Sequence, residues 1–532
     1  MATETLAPRR QPAAPPEGPL ALPVSRRRAR ALLLLAVLTV AACGFAYELT
    51  LITIGTYLLG NSVAQVSLVL AAFVSSMGLG SLLAKPLLHR PVEAFIAVES
   101  AVAILGGASG LGLYAAFAWL DLFQTATVAA AAGVGMLVGC EIPLLLSLMQ
   151  RVRREEASTS VADLLAADYL GAVVAGLAFP FLLLPFLGQI QGALAVGALN
   201  ALAGLLVLWL FARTVARRRA LLLLGAGVAV LTVLGTAAAL AGRFEVSARQ
   251  ALFDDPIVHS ERTPYQEVVM TQAPTGDDLR LFLNGDLQFS SVDEYRYHEA
   301  LVHPALAGPR RSVLVLGGGD GLALREILRY PDVERVVLVE LDRRVVDLGR
   351  DDPRLRALNG DALRDPRVKV VTTDAFSWLR EHGGERFDAA VLDFPDPDDP
   401  ALAKLYSVEM YAMLRRRALR PGGRAVIQAG SPYFAPEAFW SIKRTAEAAG
   451  LATRAYHVDV PTFGDWGYIL AGEGPAPALA MRPPRPLRFL DPPTLAAAAV
   501  FPRDRGPIPD VEPSTLNRPR IVEYERLGWR DY

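Results

Sequence analysis

Cysteine is nearly absent: the 532-residue chain has two, Cys43 and Cys140, both inside apolar runs. A disulfide framework and a CxxC-type zinc site are thereby excluded, and both thiols read as small buried side chains. A basic surplus is missing too. Lys and Arg number 53 against 54 Asp and Glu, a formal net charge of −1. Phosphate binding needs positive charge, so a nucleic-acid partner is not expected. His298 and His303 stand close in sequence, but at no spacing that metal sites use, and no metal is expected. What the chain does have is apolar bulk. Hydrophobic residues make up 52% of it and the mean hydropathy is +0.31. That excess lies almost wholly before residue 243, so an apolar half precedes a half of ordinary globular composition.

Residues 1–28 are rich in Pro, Ala and Arg without apolar periodicity, and are expected to be disordered. The apolar run after Arg30 is too long for a signal-peptide core and lacks a clear cleavage site. Runs near 31–57, 63–84, 94–118, 125–148, 166–187, 192–212 and 220–241 are each long enough to span a bilayer, which takes about 20 helical residues. They predict a multi-pass α-helical membrane domain of about seven helices over 29–243. Small residues in GLGS (78–81) and GGASGLG (106–112) suit close helix packing in lipid. Arg26, Arg27, Arg28 and Arg30 precede the first run; Lys85 and Arg90, then Arg151, Arg153 and Arg154, then Arg213, Arg217, Arg218 and Arg219 follow the second, fourth and sixth. The loops between have no Lys or Arg, so the positive-inside rule puts the N-terminus in the cytoplasm of a cell-membrane protein. Seven crossings would then leave the second half outside; a count wrong by one would leave it inside. Glu48, Glu99, Glu141, Asp163 and Asp168 lie in or near the runs. A charge at the bilayer centre costs roughly 2.5–3.5 kcal/mol even on lenient scales. These acids serve either helix–helix hydrogen bonding and interfacial positions, or a path for a cation such as a polyamine or a proton.

Beyond residue 244 the pattern changes. Short strands with turns at PTGDD and at Asn284-Gly285, a hairpin signal, predict a small antiparallel β subdomain over 244–308. SVLVLGGGDGLALREIL (312–328) reads as strand, glycine turn and helix, and further buried strands follow at 333–342, from 368, at 387–397 and at 422–430. Strands alternating with helices predict an α/β Rossmann-like domain over 309–472, of the adenosylmethionine-transferase type, with ligands beyond the carboxyl ends of the strands. Gly317, Gly318 and Gly319 let backbone approach a ligand, and Glu340, about 20 residues on, stands where an acid holds ribose hydroxyls. Leu322 occupies the place of the third glycine of GxGxxG, which weakens a nicotinamide-cofactor reading. Asp320, Glu340, Asp374, Asp393 and Asp396 all fall at strand ends. Like charges gathered in one cleft are costly unless a cation neutralises them, so a cationic substrate is expected, a metal being the competing explanation.

Together these residues resemble the spermidine synthase (polyamine aminopropyltransferase) family. LNGDLQFSSVDEYRYHEALVHPAL (283–306), GGGDGLALRE, VELD, TTDAF and DFPDPDDPALAKLYS stand in that family's order and spacing, with Tyr265-Gln266 upstream. YELTLITIGTYLLGNSVAQ (47–65) is similar to the family's membrane-fused branch. The resemblance implies transfer of an aminopropyl group from decarboxylated S-adenosylmethionine to putrescine, with no metal, no permanently bound cofactor and possible homo-oligomers. It implies a donor site of Gln266, Gly317, Gly319, Glu340, Asp374, Ala375 and Pro400. Asp320 would bind the amine of the aminopropyl arm, Tyr297 and His298 would line the polyamine channel, Asp393 would accept the proton, and Asp396 would help hold the diamine. Two departures from the soluble members bear on the acceptor: PDDPALAKLYS is one residue longer, and Phe463 replaces a tyrosine. A methyltransferase on the same fold, and a polyamine sensor or transporter with a non-catalytic synthase-like domain, are the competing readings. The segment 473–532 is proline-rich and ends in aromatics that suit either packing on the domain or a disordered tail.

Overall fold

The computed structural model describes residues 22–59, 63–120, 122–153, 157–381 and 384–530; residues 1–21, most of the segment expected to be disordered, lie outside them. The chain forms two compact units that divide between Leu252 and Phe253.

The first unit is helical: α1 (Arg26–Leu59), α2 (Val63–Leu83), α3 (Pro91–Gly107), α4 (Ser109–Ala115), α5 (Phe123–Arg153), α6 (Ala157–Ala178), α7 (Leu184–Phe211) and α8 (Arg217–Gln250). Arg26, Arg27 and Arg28, expected to be disordered, instead form the first turn of α1. Their side chains are exposed while Ala29 and Leu33 are buried, so burial of the turn's apolar side overrides its charge. Among the described residues, six helices are long and apolar enough to cross a membrane by length and composition. One of them, Val161–Thr214, has 54 residues, about 80 Å if straight, far more than the roughly 30 Å of a hydrocarbon core. It is not straight. Gly188 takes φ 68° and ψ −170°, a conformation open only to glycine, and the chain folds back there. A Cβ on Gly192 would lie 4.0 Å from the Leu183 carbonyl oxygen, although nine helical residues would separate them by about 13 Å. The two limbs match the fifth and sixth apolar runs of the sequence.

Small residues set the helix contacts. A Cβ on Gly135 or Gly139 would strike the carbonyl oxygens of Phe73 at 2.4 Å and Met77 at 2.1 Å, so the backbones of α2 and α5 touch. Polar pairs join other helices: Asn200 Nδ2 donates to Glu99 Oε2 at 2.6 Å, Tyr114 OH to Gln189 Oε1 at 2.7 Å, and Arg30 pairs with Asp163.

The second unit opens with an antiparallel meander, β1 (Ile257–Arg262), β2 (Glu267–Gln272), β3 (Leu279–Leu283) and β4 (Asp286–Ser290). Asn284 and Gly285, with φ of 54° and 96°, turn β3 into β4 as their pairing predicts. After α9 (Glu294–Val302) come β5 (Ser312–Gly317), α10 (Leu322–Leu328), β6 (Arg335–Glu340), α11 (Arg343–Asp351), α12 (Pro353–Asn359), β7 (Val368–Thr372), α13 (Ala375–Glu381), β8 (Phe387–Asp393), β9 (Leu419–Gln428), β10 (Ala452–Val460) and β11 (Gly464–Gly472). The main sheet runs β10-β11-β9-β8-β5-β6-β7. Five of its strands, β9, β8, β5, β6 and β7, are parallel; β8, β5 and β6 are largely buried, β7 is a half-exposed edge, and β10–β11 is an antiparallel edge hairpin. Successive connections leave β5 towards β6 on one side and β8 on the other, which opens a crevice at its carboxyl end.

The stretch after residue 473 packs on this sheet. Leu490, Leu495, Ile521 and Val522 are buried. Its fastening is Glu299 on α9, fully buried, whose carboxylate accepts the backbone N–H groups of Arg488, Phe489 and Leu490 at 2.8, 2.9 and 2.8 Å. Hydrogen bonds to a charged group contribute about 1.5–3 kcal/mol each. Glu299→Ala should therefore detach the segment, and limited trypsin digestion should cut after Arg488 well before the domain core. Digestion unchanged from the parent would remove Glu299 as the fastening.

Candidate active site

The glycine turn comes first because it shapes everything around it. Gly317, Gly318 and Gly321 have φ of 81°, 70° and 86°. A Cβ on Gly317 would lie 2.1 Å from the Asp393 carbonyl oxygen, and one on Gly319 2.8 Å from Glu340 Cγ. The turn thus threads between the ends of β8 and β6, and only glycine fits. It delivers Asp320 to the start of α10, where Oδ1 accepts the Leu322 N–H at 2.7 Å.

On the β6 side, Glu340 Oε1 accepts the Asp342 N–H at 3.0 Å. Asp342 Oδ2 in turn accepts from Thr263 Oγ1 at 2.6 Å and from Gln266 Nε2 at 3.2 Å. Gln266 therefore reaches the neighbourhood of Glu340 from the β1–β2 loop, through Asp342. Burial lifts Glu340 to about 7; the Asp342 amide opposes the rise and the Asp320 charge adds to it. Beyond β7, Asp374 accepts the Ser377 N–H at 2.9 Å and pairs with Lys404 at 2.9 Å. Burial alone would raise its carboxyl, but Lys404 and the Ser377 amide bring it below the usual range. Ala375 is buried at the start of α13. Pro400, in the first turn of the short helix Pro400–Ala403, is exposed.

At the centre, Tyr297 OH donates to Asp393 Oδ1 at 2.6 Å. Burial lifts Asp393 to about 6; the His298 charge and the Tyr297 hydroxyl pull it down, and Asp320 pushes it up. His298 is buried, with Nδ1 2.9 Å from Glu294 Oε2, and Arg325 holds Glu294 through both terminal nitrogens at 2.8 and 2.9 Å. Burial disfavours the imidazolium, but Glu294, Asp393 and Asp320 outweigh it and raise the His298 pKa. Tyr297 packs edge-on to Phe463 at 5.9 Å, and Tyr468 lies 5.7 Å away. His303 stands apart, fully buried between Tyr330 OH at 2.7 Å and Glu326 at 3.2 Å.

The remaining end contains residues that sequence reasoning missed. Gln428, the last residue of β9, donates to Asp396 Oδ1 at 2.7 Å and to the Phe394 carbonyl at 2.9 Å. Tyr406 OH donates to the Pro395 carbonyl at 2.9 Å. Burial lifts Asp396 to about 6, with Gln428 opposing and Asp398 adding. Glu525 arrives from the C-terminal helix Arg520–Trp529. It is 1% exposed and accepts Trp529 Nε1 at 2.7 Å. A Cβ on Gly430 would lie 3.5 Å from Asp396 Oδ1 and 3.9 Å from Glu525 Oε1, so the two carboxylates flank that glycine. Burial, then the Asp396 charge, push Glu525 well above the usual carboxylate range. Asp286, beside the β3–β4 turn, lies within electrostatic reach of Asp396 and Asp398. The strand-end rule that found Asp393 also reaches Gln428. Nothing local marks Glu525, more than a hundred residues downstream of Asp396. Among the described residues no three His, Cys, Asp or Glu side chains are grouped so as to hold a metal ion.

A sheet edge lined by acids, with a glycine turn and Glu340 at one end, suits cationic ligands. Comparison with known proteins agrees. Residues 294–481 match the family described as "Spermine/spermidine synthase domain". The chain is 55% identical over 526 residues to Polyamine aminopropyltransferase 1 of Streptomyces coelicolor, covering 98% of each. It is 49% identical over 514 residues to Polyamine aminopropyltransferase of Mycobacterium tuberculosis, covering 94% of this chain and 97% of that one. A solved spermidine synthase in complex with the transition state analogue AdoDATO is 25% identical and covers 46% of this chain and 85% of its own, with a TM-score of 0.43. At 55% and 49% identity to curated relatives over 98% and 94% of its length, the chain belongs to the spermine/spermidine synthase family of polyamine aminopropyltransferases.

Proposed function

We propose that the second unit transfers the aminopropyl group of decarboxylated S-adenosylmethionine to putrescine, giving spermidine and 5′-methylthioadenosine. The observation that carries this is the run of carboxylates from Glu340 through Asp320 and Asp393 to Asp396, with few basic side chains among them. Gln266, Asp342, Glu340, Asp374 and Ala375 form the nucleoside end, where Gly317 and Gly319 admit the donor to the backbone. Pro400 belongs to the segment that carries Lys404 to Asp374. Asp320 meets the ammonium of the aminopropyl arm. The acceptor lies towards Asp396, with Tyr297 and His298 on the channel wall.

The chemistry follows from that arrangement. An amine of pKa roughly 10 arrives protonated and cannot attack. Asp393 takes the proton, the nitrogen attacks the aminopropyl carbon, and the carbon–sulfur bond breaks to release neutral methylthioadenosine. A positioned general base contributes about 10²–10⁴-fold, and alignment of the two substrates supplies much of the rest. The first test is the detergent-purified full chain with donor and putrescine, read by mass spectrometry of both products. Asp393→Asn should lower kcat by about 10²–10⁴-fold. No product with putrescine or any other amine, despite nucleoside binding, would end the enzymatic reading.

The acid must be ionised to act, so kcat/KM for the acceptor should fall as pH drops below about 6, where the free enzyme protonates Asp393. The Tyr297 hydroxyl lowers that value, so Tyr297→Phe should move the acidic limb to higher pH. A limb unmoved by the variant would separate Tyr297 from the base. Glu525 supports a role for the far ammonium of the acceptor, next to Asp396. Glu525→Gln should raise KM for putrescine about tenfold, the worth of one charged hydrogen bond, with kcat little changed. A parental KM would leave Glu525 a structural acid.

We also propose that the first unit crosses the cell membrane seven times. The support is the length and apolarity of its helices together with the fold-back at Gly188, which turns one 54-residue run into two limbs. An odd number puts the basic helix ends and the second unit on opposite faces, and the positive-inside rule makes the basic face cytoplasmic. Alkaline phosphatase fused after residue 532 should then be active and a fluorescent protein there dark; the reverse pattern would overturn this orientation.

A further inference from the structure

Glu141 is a buried acid of the helical unit for which no pairing between the described helices accounts. Glu99 binds Asn200, and Asp163 pairs with Arg30. Glu141 on α5 is 3% exposed, and its Oε1 has no hydrogen-bond partner among the described residues. It lines a partly open cavity of about 50 Å³ between α1, α5 and α6, with Ile142, Val161 and Leu165 at its exposed rim. Asp168 on α6 lines the same cavity, and the rest of the wall is apolar, with Val37 and Val40 from α1, Leu145 from α5 and Leu164 from α6. Two residues past Glu141, Pro143 interrupts α5, and the Gly139 carbonyl that loses its helical donor accepts Ser81 Oγ at 2.8 Å instead. The helix is thus opened beside the acid, and the freed backbone group is satisfied elsewhere.

We infer that this cavity is an amine site of the helical unit, separate from the aminopropyl-transfer cleft, that takes a linear aliphatic polyamine. A buried carboxylate oxygen in apolar surroundings needs a donor, and a cation supplies both donor and charge. The walls choose the cation. Hydrated metal ions such as calcium need six or more oxygens, which this lining does not provide. A chain of methylenes carrying ammonium groups fits both features: its charge meets Glu141 and Asp168, and its carbons meet the valines and leucines. The bound class is therefore that of the proposed acceptor and product, and the site rests on its own geometry whether or not the cleft turns over.

Dicyclohexylcarbodiimide, which labels carboxyls in apolar surroundings, tests this on the detergent-solubilised full chain, with labelling of the Glu141 peptide followed by mass spectrometry. Spermidine at ten times its dissociation constant should slow labelling about tenfold by mass action, and sodium chloride of equal ionic strength should not. Protection should persist in Asp396→Asn, which is altered only in the transfer cleft. In equilibrium dialysis Glu141→Gln should bind one spermidine fewer per chain than the parent while keeping aminopropyl transfer. Labelling unaffected by spermidine, protection lost in Asp396→Asn, or unchanged stoichiometry in Glu141→Gln would each overturn the site.

Discussion

Burial of several carboxylates along one edge of the sheet is the constraint on which the second unit depends. Two nearby basic side chains are already engaged: Arg325 serves Glu294 and Glu326, and Lys404 serves Asp374. Burial first, and then the charge of neighbouring carboxylates, lets these acids keep protons nearer neutrality in the free protein, about 7 at Glu340 and about 6 at Asp393 and Asp396. A sulfonium and three ammonium groups would reverse that. Their arrival lowers each pKa, expels the protons and leaves the acids ionised, so the substrates complete the electrostatics that the fold leaves unbalanced. The base is then most basic relative to its load when the site is empty, and most fully charged when it is full.

Three consecutive residues on α9 organise the response. Tyr297 donates to Asp393, His298 leans on Glu294, and Glu299 holds the backbone of residues 488–490. A helix turns 100° per residue, so neighbours point to three different quarters. One short helix therefore links the acid at the centre, the Arg325 network behind it and the returning C-terminal segment. The glycine turn after β5 does the same by absence: with no Cβ at Gly317 or Gly319, the ends of β8 and β6 close on it and their acids are brought to one edge.

Much of this was legible in the sequence because it is local. Buried strands of the parallel sheet read as apolar runs, their polar last residues mark the ligand edge, and Asn284-Gly285 specifies its hairpin from two residues. The apolar runs fixed the helices closely enough that the break at Gly188 falls between the fifth and sixth. What could not be read depends on distant partners. β1 has an exposed–half-buried alternation with no apolar run to announce it. The β10–β11 hairpin needs β9 as its neighbour. Gln266 reaches Asp342 rather than Glu340 because Asp342 caps α11, a detail of side-chain geometry. Arg26 to Arg28 are helical because apolar residues one turn later are buried, which charge patterning alone does not reveal.

The position of Glu525 ties the acidic edge of the sheet to a helix far away in the chain. Glu340 and Asp393 stand on β6 and β8, whereas the carboxylate beside Asp396 comes from the helix Arg520–Trp529. Loosening that helix would therefore withdraw one carboxylate from the cluster and leave the others where the sheet holds them. The charge of that edge is thus set by how firmly a peripheral helix is docked, as well as by the strands beneath it.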